Sequence, residues 1–312
     1  MRRALALLIV ALCADARAET AYVSDEQANV VHVVRADGAV EGSIAVGRRP
    51  RGIALSGKKL YVACGNDNRI DVVDLATRAV VDSIPSGPDP ERFALSPEGR
   101  TLYVANENDS TVSFVDVRAK KIVHEIAVGA EPEGVAVSPD GRWVICTSES
   151  VSLVHFIDAK TAKLVDSVLV GTRPRDAQFD RDGRRLWVSS ESRASVAVFD
   201  PATRRVVRTI DFASDARAPE TVQAVGIALA GDGARAFVAL GRGNAVAEVD
   251  ARTFEVKRYL PAGSRVWGVA LGGEGRVYAA GGLSGDLTIV ERDGASRTVA
   301  LGGRPWGVVV AP

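Results

Sequence analysis

One pattern returns seven times along this chain and leaves few folds open to it. The pairs Tyr22-Val23, Tyr61-Val62, Tyr103-Val104, Ile145-Cys146, Trp187-Val188, Phe237-Val238 and Tyr278-Ala279 follow one another at steps of 39, 42, 42, 42, 50 and 41 residues. A fixed period of this length marks an array of supersecondary units. Each unit has the same grammar. A short apolar run such as Gly134-Val135-Ala136-Val137 leads into a tight turn, as in Ser138-Pro139-Asp140-Gly141-Arg142, whose glycine supplies the positive φ of a hairpin. The aromatic pair lies on the strand that follows. A polar loop, Asn106-Glu107-Asn108-Asp109 in the third unit, precedes a third strand, and a second turn leads to a fourth. Apolar residues alternate with period two, and no 3.6-residue period is present.

Four antiparallel strands per unit are what a blade of a β-propeller needs. Seven units predict an all-β, seven-bladed β-propeller. The chain after residue 18 enters on a second strand (residues 21–25) and leaves on a first strand (residues 307–311). The C-terminal strand is therefore expected to join the N-terminal blade and close the ring, which removes exposed sheet edges. Residues 19–312 read as one domain.

Residues 1–18 read as a cleavable export signal. Arg2 and Arg3 precede an apolar run from residue 4 to 12, and Ala16-Arg17-Ala18 fits a small-x-small cleavage site. Cys13 follows Leu12, a larger residue than lipidation sites usually accept. No later stretch is long and apolar enough for a membrane helix. A periplasmic monomer with no membrane span is expected. Lys plus Arg and Asp plus Glu each number 39, and this neutrality gives no basic face for nucleic acid. Export would permit a disulfide, but Cys64 and Cys146 fall in blades two and four, which do not touch, so two free buried thiols are expected.

Tyr103-Val104-Ala105-Asn106, the third strand ending in Asp116, and the run from Val128 to Gly141 resemble the YVTN family of propeller repeats, a WD40-like arrangement. The resemblance covers the whole chain after residue 18 and implies fold, not function. Val266-Trp267-Gly268-Val269-Ala270-Leu271, the loop Gly281-Gly282-Leu283-Ser284 and the ending Arg304-Pro305-Trp306-Gly307-Val308-Val309-Val310-Ala311-Pro312 are similar to propeller proteins associated with pyrroloquinoline-quinone (PQQ)-dependent catabolism. That resemblance implies bacterial periplasmic alcohol oxidation beside a transport system. It does not itself imply that PQQ is bound.

The repeat sorts the candidate chemistry. Asp74, Asp116, Asp158, Asp200 and Asp250 each end a third strand and read as acceptors for turn amides. His32 and His155 occupy equivalent positions in blades one and four and cannot share a metal, and His124 lies on an outer strand. No metal site, no Cys-x-x-Cys-His haem attachment, no Gly-x-Ser-x-Gly elbow and no set of converging acids emerges. The blades differ where the fourth strand crosses to the next first strand, at one mouth of the channel. There the repeat aligns Arg51, Glu91, Glu133, Arg175, Val225, Trp267 and Trp306, next to Arg49, Asp89, Glu131, Arg173, Arg265 and Arg304. Tryptophan can stack on a flat ligand and arginine can clamp carboxylates, and the same residues can instead plug the channel and solvate its rim. One step further in, glycine in five blades becomes Arg92 and Asp176, and Gln178 replaces an alanine. The fifth interval is eight residues longer than the one before it, and the extra residues lie within 212–223, expected at the same mouth. These features point to a non-enzymatic binding or accessory protein that holds a small anionic or aromatic molecule, or a protein partner such as a dehydrogenase or transporter component. A lactonase-like or quinoprotein-like enzyme and a pure interaction scaffold are the alternatives.

Overall fold

The computed structural model describes residues 19–312; the expected export signal, residues 1–18, and Cys13 lie outside the described residues. Seven sheets of four antiparallel strands form a ring, and no α-helix is present among the described residues. In blade two, Pro50–Ser56 lies innermost, followed outward by Lys59–Cys64, Arg69–Asp74 and Ala79–Pro85. The inner strands of blades three to seven are Pro90–Leu95, Pro132–Val137, Pro174–Phe179, Ile227–Leu229 and Val266–Leu271. Blade one is composite. Thr20–Asp25, Val30–Arg35 and Val40–Ala45 supply three strands, and the C-terminal Pro305–Ala311 supplies the innermost, pairing Thr20 with Ala311 and Val23 with Val308. The expected closure is present.

Burial follows the radius. Second strands have a blade on each side, so their residues are apolar on both faces, and Leu60 to Cys64 are all buried. Outer strands are largely exposed: in Ala79–Pro85 only Ile84 is fully buried. Seven apolar clusters form, one at each junction between blades. Tyr103, Phe114, Val135, Val144, Cys146 and Ile157 fill the junction of blades three and four. Cohesion is thus a sum of neighbour contacts around a ring rather than one central core.

The recurring aspartates do what the repeat predicts. Asp74 accepts N–H bonds from Ala76 and Thr77 at 2.9 Å each, Asp158 from Thr161 at 2.8 Å and Asp250 from Arg252 at 2.9 Å. His32 bonds Asp25 at 3.1 Å, and His155 lies between Ser148 and Ser167 at 3.0 and 2.8 Å, its pKa pressed down to about 4 by burial. Both histidines hold loops in place. Cys64 and Cys146 are free and buried, and burial pushes the Cys64 thiol up to about 12.

Candidate functional site

The chain aims its variable residues at the axis by a local device. Arg49, Asp89, Glu131, Arg173 and Arg265 each take a left-handed backbone, with φ of 56°, 55°, 54°, 58° and 57°. A proline, or Val266 in blade seven, then starts the inner strand. There the pairing jumps from Pro50–Cys64 to Ile53–Val62, so Arg51 and Gly52 together face Ala63. The same bulge recurs between Pro90 and Phe93, Pro132 and Val135, Pro174 and Ala177, and Val266 and Val269. A bulge re-aims side chains. Its first residue points to the mouth of the channel, and its second turns toward the next blade.

That second position is a girdle of close contacts. A Cβ on Gly52 would lie 2.5 Å from the Glu91 carbonyl oxygen, on Gly134 2.7 Å from that of Arg175, on Gly226 2.6 Å from that of Trp267, on Gly268 2.5 Å from that of Trp306, and on Gly307 2.6 Å from that of Arg51. Glycine is there because neighbouring inner strands meet backbone to backbone. Arg92 and Asp176 break the girdle.

At the mouth the charged residues find one another in two networks. In the first, Arg51 bonds Glu91 at 2.6 and 2.7 Å and Glu26 at 2.7 Å, while Arg49 bonds Asp89, reaches Glu91 at 2.7 Å and lies 3.5 Å from Glu107. In the second, Arg175 bonds Glu133 and Glu149 and lies 2.8 Å from Glu191. Arg173 pairs with Glu149 and Glu191, and Arg265 bonds Glu191 at 3.1 Å and Gln223 at 3.2 Å. Between the networks Trp267 and Trp306 stack with centroids 6.4 Å apart and planes 22° from parallel. Arg265 and Arg175 lie 4.4 and 5.2 Å from the Trp267 ring, and Arg92 and Arg51 lie 4.6 and 5.7 Å from the Trp306 ring. Trp306 is buried and Trp267 half-buried. The mouth is therefore closed by its own side chains. Arg304 and Arg173 are exposed, and Arg304 borders a groove with Glu26, Gln27 and Asn66. Glu131 bonds Ser150 at the periphery.

No set of converging acids was expected, and the structure corrects that. Four residues beyond the first residue of each recurring pair stands Glu26, Glu107, Glu149 or Glu191 in four blades and Gly65, Gly241 or Gly282 in the others. The glutamates supply the carboxylates. The glycines leave room: a Cβ on Gly282 would lie 2.5 Å from Trp267 Cδ1, and one on Gly65 2.9 Å from Arg49 Nη1. Carboxylate oxygens of Asp89, Glu91 and Glu107 come within 4.8 Å of one another. The Arg49 guanidinium already sits at this cluster, which leaves a metal ion little charge to neutralise. The insertion also differs from expectation. Arg217 bonds the Val256 carbonyl at 3.0 Å and Asp215 accepts from Tyr259 at 2.9 Å, so this stretch packs along the outer strand of blade six, and Gln223 is what reaches the mouth.

Shared arginines cannot keep every carboxylate ionised. Burial, the hydrogen bond with Glu91 and the charges of Glu91 and Asp89 push Glu107 up to about 7. Burial pushes Glu133 up to about 8, only partly offset by Arg175, which serves three carboxylates. Burial works against ionised Glu91 too, but Arg51 and Arg49 outweigh it and hold that group below its ordinary value. A carboxyl that is protonated when folded and ionised when unfolded stabilises the fold at low pH. That contribution is complete below about pH 4.3, the unfolded value, and is lost as pH rises through about 7 for Glu107 and about 8 for Glu133. His155, with its depressed pKa, acts in the opposite sense, but only below about pH 6.5. Stability is therefore expected to fall between pH 6.5 and 8.5, and Glu133→Gln to flatten the slope. Urea midpoints at the two pH values measure it; a parent that gains stability over this interval would contradict the assignment.

A family model for the cytochrome D1 heme domain matches residues 93–181, fewer than half of the chain. No curated protein matches. Among solved structures, the chain resembles hydrazine synthase of Kuenenia stuttgartiensis at 22% identity and a TM-score of 0.72, over 83% of this chain and 88% of that one. It resembles a candidate 6-phosphogluconolactonase of Bacteroides uniformis at 17% identity and 0.77, over 95% and 100%. A Lactobacillus plantarum protein follows the fold at 16% identity and 0.80, over 94% and 100%. At such identities the likeness shows the fold. The axis does not suit a haem: His32, His124 and His155 lie on third and outer strands, Cys64 and Cys146 are buried at blade junctions, and no described residue is a methionine.

Proposed function

We propose that this chain is a non-enzymatic binding or accessory propeller of the periplasm that docks a protein partner on its mouth. One observation carries the reading. The inner arginines are consumed by carboxylates and tryptophans of the same chain, so the mouth offers a stiff, internally neutralised face edged by Trp267, Arg173 and Arg304 rather than an open clamp for a small anion. Rigid aromatic and arginine residues of this kind anchor protein interfaces. The resemblance to propellers associated with PQQ-dependent catabolism suggests the partner: a dehydrogenase or transporter component of alcohol oxidation. PQQ itself, a flat tricarboxylate, fits the mouth poorly, because Trp267 and Trp306 stack on each other and Arg51 and Arg175 are already paired.

A pull-down from periplasmic extract with the purified chain tests this. Recovery of such a component should fall about 30-fold or more in Trp267→Ala, the scale of an interface hot spot. Equal recovery by Trp267→Ala and Arg173→Ala would remove the mouth from the interface. A second reading rests on Asp89, Glu91 and Glu107. A carboxyl pushed up to about 7 beside an ionised one is suited to proton transfer. Turnover of a lactone or alcohol panel, with or without added divalent metal, that disappears in Glu107→Gln would favour this enzymatic reading.

A further inference from the structure

We infer that the channel on the inner side of the tryptophan plug is a binding site for a small organic monocarboxylate, with Arg92 as its receptor. The site is separate from the mouth face, and nothing in the inference depends on the docking of a partner there.

The argument starts from the broken girdle. At this point in five blades a glycine packs against the neighbouring backbone, while blade three places Arg92 there and blade five Asp176. Arg92 extends over the inward face of Trp306, 4.6 Å from the ring. Its Nη1 pairs with Asp176 Oδ2 at 3.7 Å, an ion pair too long to be a hydrogen bond. Asp176 is occupied elsewhere: Oδ1 accepts the N–H of Ala177 and Oδ2 that of Ile227, each at 2.9 Å. Arg92 Nε is shielded from solvent with no partner, and the guanidinium forms no hydrogen bond among the described residues. A guanidinium is a rigid fork of five donors, and shielding its Nε without an acceptor is costly. It matches a carboxylate bidentately.

The space beside it is of ligand size. Two adjoining cavities, of about 340 and 390 Å³, share Ile53, Arg92, Asp176 and Gln178 as lining. The first is walled by Ile227, Leu229, Val269 and Leu271. The second reaches Pro139, Asp180 and Arg181 in the hairpin turns, so it opens on the face opposite the mouth. Apolar side chains beside a few convergent polar groups recur in small-molecule sites. They set the class of ligand: one carboxylate at Arg92, an amide contact from Gln178, and a compact apolar or aromatic body. A dianion is disfavoured at Arg92, because Asp176 lies beside the guanidinium.

Calorimetry at pH 7 on the purified chain, with benzoate as probe and inorganic phosphate as a second arm, tests the proposal. Benzoate should bind saturably at one site per chain. Arg92→Gln should weaken it tenfold or more, the loss expected for a charge-assisted hydrogen bond. Arg92→Gly installs the residue that five other blades use, so it should stay folded by circular dichroism and not bind. Arg173→Ala, at the mouth, should bind as the parent does, which separates failure here from failure of the docking reading. The proposal is overturned by a folded parent without saturable benzoate binding, by equal affinity in Arg92→Gln, or by phosphate binding as tightly as benzoate.

Discussion

Arg175→Met is expected to cost the folded chain about 3–5 kcal/mol, the usual penalty for removing one partner of a buried ion pair. Arg175 is 9% exposed and serves Glu133, Glu149 and Glu191 at once. Without it, Glu133, Glu149 and Glu191 lose the donor they share and keep Arg173, Arg265 and the more distant Arg51. Methionine keeps the volume but supplies no charge. Urea unfolding at pH 7 should show the loss, with a fall in Tm on the order of 10 °C. Arg173→Ala removes an arginine from the same network whose side chain is 46% exposed, and should cost no more than about 1 kcal/mol. If the two variants lose the same stability, the network is not held by its buried member.

Gly268→Ala is expected to be nearly as damaging, for a purely steric reason. The added carbon would sit 2.5 Å from the Trp306 carbonyl oxygen and 3.2 Å from Gly307 Cα. Both obstacles are backbone of the neighbouring inner strand, so no side chain can rotate away. The blades must part, at about 3 kcal/mol, the upper end of ordinary overpacking. The same shift should disturb the stacked Trp267 and Trp306 and move the tryptophan emission. Gly231→Ala is the control. Nothing lies within 4 Å of its added carbon, so it should leave stability unchanged within about 1 kcal/mol. Equal losses in the two variants would mean that the girdle is not the constraint.

The fold was legible because each blade repeats its instructions. The hairpin glycines, the aspartates ending third strands and the aromatic pairs specify one supersecondary unit, and the half-units at the two ends specify closure. The site was legible only in part. Arg51, Arg175, Trp267 and Trp306 stood out because they differ between blades. Glu107 reads from the sequence only as part of a polar loop, and Glu149 and Glu191 carry no motif that singles them out. Their signal was the alternation of glutamate with glycine after the second strand, which makes sense only once arginine and tryptophan side chains are seen to need the space. Which arginine meets which carboxylate depends on positions around a closed ring, and pairs such as Arg265 and Glu191 lie 74 residues apart. Arg92 and Asp176 were visible as exceptions to the glycine rule. The carbonyl contacts that make the rule appear only when blades are placed side by side.

Closure by Pro305–Ala311 also governs the order of folding. Ser24 accepts the N–H of Gly307 at 3.0 Å across 283 residues of chain, so the first blade cannot be completed until the last strand is available. Until then Thr20–Asp25 presents an unpaired sheet edge, a template for strands of other molecules. Contacts this distant in sequence form slowly. The protein's exposure to aggregation is thus concentrated in the interval before the ring shuts, and variants that weaken the C-terminal strand should reveal themselves first as poor yield of soluble protein rather than as a low melting temperature.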